Sequence, residues 1–219
     1  MNNFIKAEML SERLESSPQY FFESGAWYSL LEEYFEGYPV ETLRRWLISD
    51  DYYICKSALC IASELGNDAC ALVEDVLPYF FSNDPELIYY ALDIVVVCSH
   101  LYPKTLVHIL STMDSSHDFL RRRAMYLMSR KRPKNLLPAL RLLQAQNPKD
   151  AHIDGLSKLV NAGQVPVETV QTMIIGHNPL LRRYGALIAF QKIDSSFNLM
   201  ELVENSDDPD LRYFASDVR

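Results

Sequence analysis

The chain has 219 residues, with 29 acids against 21 Lys and Arg, a formal charge of −8. That length suits one domain or a short repeat array, and the negative field opposes nucleic-acid binding over the whole surface. Only 7 glycines, in a Leu- and Ala-rich texture, favour helices over a β-rich fold.

Residues 1–17 read as a helix stopped by Ser16-Ser17-Pro18. Residues 19–36 are dense in aromatics, including Tyr20, Phe21, Phe22, Trp27, Tyr28, Tyr34 and Phe35. They suit a cap that hides the open end of a stack. Gly37-Tyr38-Pro39 breaks the helix. Helical pairs are then expected at 40–48 with 52–65, 69–81 with 86–101, 104–113 with 118–130, 136–146 with 151–161, 167–175 with 180–193, and 196–204 with 210–218. No linker divides them, so the expected organisation is a cap over 1–39 and an array over 40–219.

The pairs share a figure. Aligned on one small residue, they carry Ala58, Ala91, Ala124, Gly155, Gly185 and Ala215 at steps of 33, 33, 31, 30 and 30 residues. Four positions earlier stand Ile54, Leu87, Leu120, Ala151, Leu181 and Leu211, on the same helix face. Pro85, Pro179 and Pro209 follow Asp84, Asn178 and Asp208, while Asp51 and Asp118 open two of the other helices. An Asp or Asn cap followed by Pro in the first turn satisfies the free N–H groups of a helix start. Units of this length cannot bury their own apolar face, so they must stack.

The runs Asn178-Pro179-Leu180-Leu181-Arg182-Arg183-Tyr184-Gly185 and Asp208-Pro209-Asp210-Leu211-Arg212-Tyr213-Phe214-Ala215 resemble the second helix of HEAT-like repeats. The resemblance covers roughly 40–219. It implies an all-α fold, a right-handed α-α superhelix of short HEAT-like repeats behind an N-terminal helical cap. It also implies that second helices line a concave face. The positions two residues either side of the small residue would then form a partner-binding row: Tyr89, Asp93, Arg122, Tyr126, Arg183 and Tyr213. Tyr and Arg are favoured at binding hot spots. Arg121, Arg182 and Arg212 sit one place earlier, where the family commonly bonds a turn Asp of an adjacent repeat. Asp84, Asp118 and Asp208 are the expected acceptors.

Chemistry leaves few traces. His100, His108, His117, His152 and His177 share no metal-binding spacing. No nucleophile elbow, phosphate loop or H-E-x-x-H run occurs. No enzyme, metal or cofactor is therefore expected. Cys55, Cys60, Cys70 and Cys98 show no C-x-x-C spacing and read as reduced core thiols of a cytoplasmic protein. No leader signal opens the chain and no apolar run reaches about 18 residues, so no membrane contact is expected.

Residues 1–100 hold 17 acids and 5 bases, a net of −12. Residues 101–219 hold 12 acids and 16 bases, a net of +4. Eight bases and no acid fall between Arg121 and Arg141. The expected function is a non-catalytic protein-binding scaffold, in a sharper form an immunity-type inhibitor of a basic bacterial toxin. The alternative is nucleic-acid binding through Arg121 to Arg141, since HEAT-like folds also occur in DNA glycosylases of the alkylation-repair type.

Overall fold

The computed structural model describes residues 4–192 and 199–218. Among them all regular structure is helical, with no strand, and no helix is long and apolar enough to cross a membrane. The chain forms two compact units, Met1–Leu101 and Tyr102–Arg219. The expected helix end at 193 and helix start at 196 lie outside the described residues.

In the first unit, α1 (Ile5–Ser16), α2 (Pro18–Glu23) and α3 (Ala26–Phe35) pack together, and α2 and α3 cover α5 (Tyr52–Glu64). Phe21, Leu30 and Leu31 are buried there. A 3-10 turn (Val40–Leu43) leads into α4 (Arg44–Leu47). The helix expected at 69–81 is instead broken into a 3-10 stretch (Gly66–Leu72), α6 (Val73–Val76) and a second 3-10 stretch (Leu77–Phe81). Pro78 explains part of this: it lacks an N–H and its ring crowds the carbonyl four residues back. The unit closes with α7 (Pro85–Cys98), packed on α5.

Links between helices of this unit span about thirty residues of chain. Arg44 donates to Asp75 at 2.6 Å across 31 residues, Tyr79 donates to the Leu47 carbonyl across 32, and Lys56 pairs with Glu86 across 30.

The four cysteines do not all stay reduced, contrary to expectation. Cys70 and Cys98 form a disulfide across a Cα–Cα distance of 5.2 Å, tying the 3-10 stretch to the end of α7. Spacing along the chain gave no sign of it, because packing rather than proximity in sequence brings the two together. Cys55 and Cys60 are free and buried. Burial pushes both thiols up, Cys60 to about 11.

The second unit contains α8 (Leu106–Thr112), α9 (Asp118–Ser129), α10 (Leu137–Gln146), α11 (His152–Val160), α12 (Val167–Ile175), α13 (Pro179–Gln191), α14 (Leu199–Glu204) and α15 (Pro209–Asp217). Helix α13 is central, packed against α9, α11, α12, α14 and α15, while α9 also packs on α15. Here the links span longer stretches of chain. Gln191 reaches the Ser129 carbonyl 62 residues away, Arg183 the Met113 carbonyl 70 away, and Arg121 reaches Asp210 89 away.

All six aligned small residues are buried on the second helix of their pair. A Cβ on Gly155 would stand 2.1 Å from the Tyr184 ring, and one on Gly185 would stand 3.0 Å from Met173 Cβ. The small side chain is therefore what lets α13 approach α11 and α12.

The caps also recur. Asp51, Asp84, Asn178 and Asp208 accept from first-turn N–H groups. Two residues before the cap position, Ser49, Ser82, Ser115 and Ser206 each accept the N–H of residue i+2 at 3.0 to 3.2 Å. The third helix differs from expectation. Its cap position is His117, and Asp118 lies inside the first turn, paired with Arg122.

Candidate functional site

The six candidate contact residues divide between the units. Tyr89 and Asp93 lie half-buried on α7 of the first unit. Arg122, Tyr126, Arg183 and Tyr213 lie on α9, α13 and α15 of the second.

Arg122, Arg183 and Tyr213 gather around a residue the sequence did not single out, Asp210. Its carboxylate is buried, with a side chain 2 % exposed. Arg121 Nε donates to Oδ2 at 2.6 Å, Arg122 Nε donates to Oδ1 at 2.9 Å, and an Arg183 nitrogen stands 3.6 Å from Oδ2. The Arg122 guanidinium also lies 4.9 Å from the centre of the Tyr213 ring. One carboxylate inside three guanidiniums satisfies its lone pairs and offsets the cost of its burial.

Arg183 is therefore not on an open row. It is 6 % exposed and donates to the Met113 carbonyl at 2.7 Å. Burial, with Arg121 beside it, pushes its guanidinium below the usual range. The physical reason is the position of α13. Packed against five other helices, α13 is buried on every side from Arg183 to Ala189, Leu187 included.

Of the three preceding arginines, Arg182 meets the expectation and two depart from it. Arg182 bonds Ser206 at 2.7 Å and Asp207, with Asp208 at 3.9 Å, which matches an adjacent-turn partner. Arg212 instead donates to the Ser206 carbonyl and Arg121 to the Ser115 carbonyl, at 2.7 and 2.9 Å, each six residues back in its own turn. A guanidinium there satisfies a turn carbonyl that no helix uses.

Tyr126 stands apart from the Asp210 cluster. Its ring has Arg123 at 5.6 Å and Arg130 at 6.0 Å. It lines a cavity of about 200 Å³ with Ser129, Arg130, Phe190, Asp217 and Val218. The signal that could have found this place is the chain order itself: an aromatic two residues beyond Ala124, followed by the densest run of exposed bases.

In the first unit the feature that stands out is electrostatic. Of its five bases, Lys6, Arg44, Arg45 and Lys56 are already paired with Glu33, Asp75, Glu15 and Glu86. Glu12, Glu36, Glu41, Asp50, Glu64 and Asp68 are exposed. Among the described residues none of these six has a cationic partner within 4.0 Å. Exposed apolar side chains lie on α1 with Glu12 and on α3, which ends beside Glu36: Ile5 and Met9 are each 65 % exposed, Tyr28 60 % and Phe35 64 %.

No family model matches the sequence, and no curated protein or solved structure is significantly similar to it. Among the described residues, no group of three or more His, Cys, Asp or Glu is placed to hold a metal ion.

Proposed function

We propose that the protein is a non-catalytic protein-binding module built from HEAT-like helical pairs, whose first unit receives a basic protein domain. The observation that carries this reading is the surplus of exposed carboxylates left once Lys6, Arg44, Arg45 and Lys56 are paired. Such a field speeds encounter with a cationic partner. Ile5, Met9, Tyr28 and Phe35 supply the apolar contacts that slow its departure. Their exposure leaves them open to contact by a partner. The recurring Ser-x-Asp caps and buried small residues support the repeat kinship. The right-handed superhelical arrangement belongs to the same proposal; the cytoplasmic setting loses its ground in reduced thiols once Cys70 and Cys98 are joined.

In its sharper form the module is an immunity-type inhibitor of a bacterial toxin, neutralising a basic toxin domain by masking it. Co-expression with the toxin encoded beside its gene tests this. Protection is expected from the native protein. Glu12→Lys with Glu36→Lys is expected to slow association about tenfold at low salt, and Met9→Ala with Phe35→Ala to speed dissociation. Equal protection and equal rates from both variants would refute the proposal.

A further inference from the structure

We infer that the second unit carries a separate docking surface of opposite charge, which takes an acidic peptide segment and seats one of its apolar or aromatic side chains in the Tyr126 cavity.

Eight bases lie between Arg121 and Arg141 without an acid, and six of them fall into two groups. Arg121 and Arg122 are engaged by Asp210. Other acids of the unit are engaged elsewhere: Asp114 with Arg183, Asp118 with Arg122, Asp154 with Lys158, and Asp207 with Arg182. Arg130, Arg132, Lys134 and Arg141 are left exposed. Among the described residues none of these four has a carboxylate within 4.0 Å.

Geometry then joins the charge to a pocket. Arg130 faces the Tyr126 ring and is itself part of the cavity wall. From there the chain runs out of α9 through Arg132, which is extended, into the 3-10 turn Pro133–Leu136 that carries Lys134. Cations therefore lead directly away from the cavity along the surface.

The cavity itself suits a single side chain. Its volume of about 200 Å³ is smaller than the roughly 300–1,000 Å³ of small-molecule sites. Tyr126, Phe190 and Val218 supply apolar walls. A central anchor in a pocket with charged contacts at its rim is the usual build of a binding hot spot.

A peptide fits better than a polyanion. Asp217 stands in the cavity wall, and the whole chain carries −8 with −12 in residues 1–100. A long phosphate chain would meet that field over many charges, whereas a short acidic segment meets only the strip.

The surface lies in the other unit from the acidic one proposed above and has the opposite charge, so each proposal fails on its own variants. The test is a random peptide display library panned on the full-length protein, followed by fluorescence anisotropy with the most enriched peptide. Enrichment of Asp and Glu around one aromatic or large aliphatic residue is expected. Arg132→Glu with Lys134→Glu, both at exposed sites, should weaken binding at least about tenfold, equivalent to about 1.4 kcal/mol. Tyr126→Ala should weaken it similarly, whereas Tyr126→Phe, which keeps the ring, should stay within about twofold. Peptides without acids, or affinities that ignore the charge pair, would overturn the inference. So would single-stranded oligothymidine binding more tightly than the peptide and being lost with the same substitutions.

Discussion

Asp210 shows how far one side chain can organise its surroundings. It sits at the start of α15, where an acid is expected to be solvated, yet it is 1 % exposed because Arg121 and Arg122 reach it from α9. Removing its charge leaves guanidiniums without their counter-ion in a dry site. Asp210→Asn is expected to cost about 3–5 kcal/mol, read as a shift of the urea midpoint. A cost below about 1 kcal/mol would mean that water reaches the cluster. His152 offers a second check. It is buried, with Nδ1 2.9 Å from the Tyr184 hydroxyl, and burial holds its imidazole below the ordinary value of 6.5. The unfolded chain therefore binds a proton more readily than the folded one. Stability from this group is complete above pH 6.5 and declines as pH falls towards its folded value. Unfolding measured at pH 7.5 and 5.5 should show a larger loss in the native protein than in His152→Gln. Equal losses would place the pH dependence elsewhere.

At the scale of the element, helix starts were legible and helix surroundings were not. A cap needs only a few adjacent residues, so Asp51, Asp84, Asn178 and Asp208 could be read directly and are found capping. The Ser two places earlier belongs to the same local grammar, although only the structure drew attention to it. Helix α13 is the opposite case. Its run of Leu180, Tyr184, Ala186, Leu187 and Ile188 is apolar on nearly every side, which marks an enclosed helix. The expectation that Arg183 faces outward used repeat position alone and missed that cue. Ala151, placed inward by the alignment, is exposed, and the buried residue of that turn is His152. In this fourth pair the motif has slipped by one residue, and the burial slips with it.

For the whole molecule, the disulfide and the charge division matter most. Cys70–Cys98 closes a loop across 28 residues, which by loop-closure entropy stabilises the first unit by about 3–4 kcal/mol. Thiol labelling checks the assignment without relying on stability. The folded protein should react at none of its cysteines, the unfolded but unreduced protein at Cys55 and Cys60 alone, and the reduced protein at all four. Labelling of Cys70 before reduction would restore the all-thiol reading. The charge division was fully visible in composition, but its meaning was not. Pairing within the first unit consumes most of its cations, and pairing within the second engages Asp114, Asp118, Asp154, Asp207, Asp208 and Asp210 away from Arg130, Arg132 and Lys134. The first unit is left with a surplus of exposed carboxylates, and the stretch from Arg130 to Arg141 of the second with exposed cations.

The residues alone were enough to establish that this chain is helical, where most helices begin, and that a small side chain recurs where helices press together. These properties depend on neighbours a few positions apart, and sequence records them directly. The partner of Asp210, the sulfur bonded to Cys70, the enclosure of Arg183 and the cavity beside Tyr126 were decided only when helices distant in the chain came into contact. Such contacts follow from how faces of similar apolar character pack on one another, and no short stretch of sequence distinguishes one such face from the next.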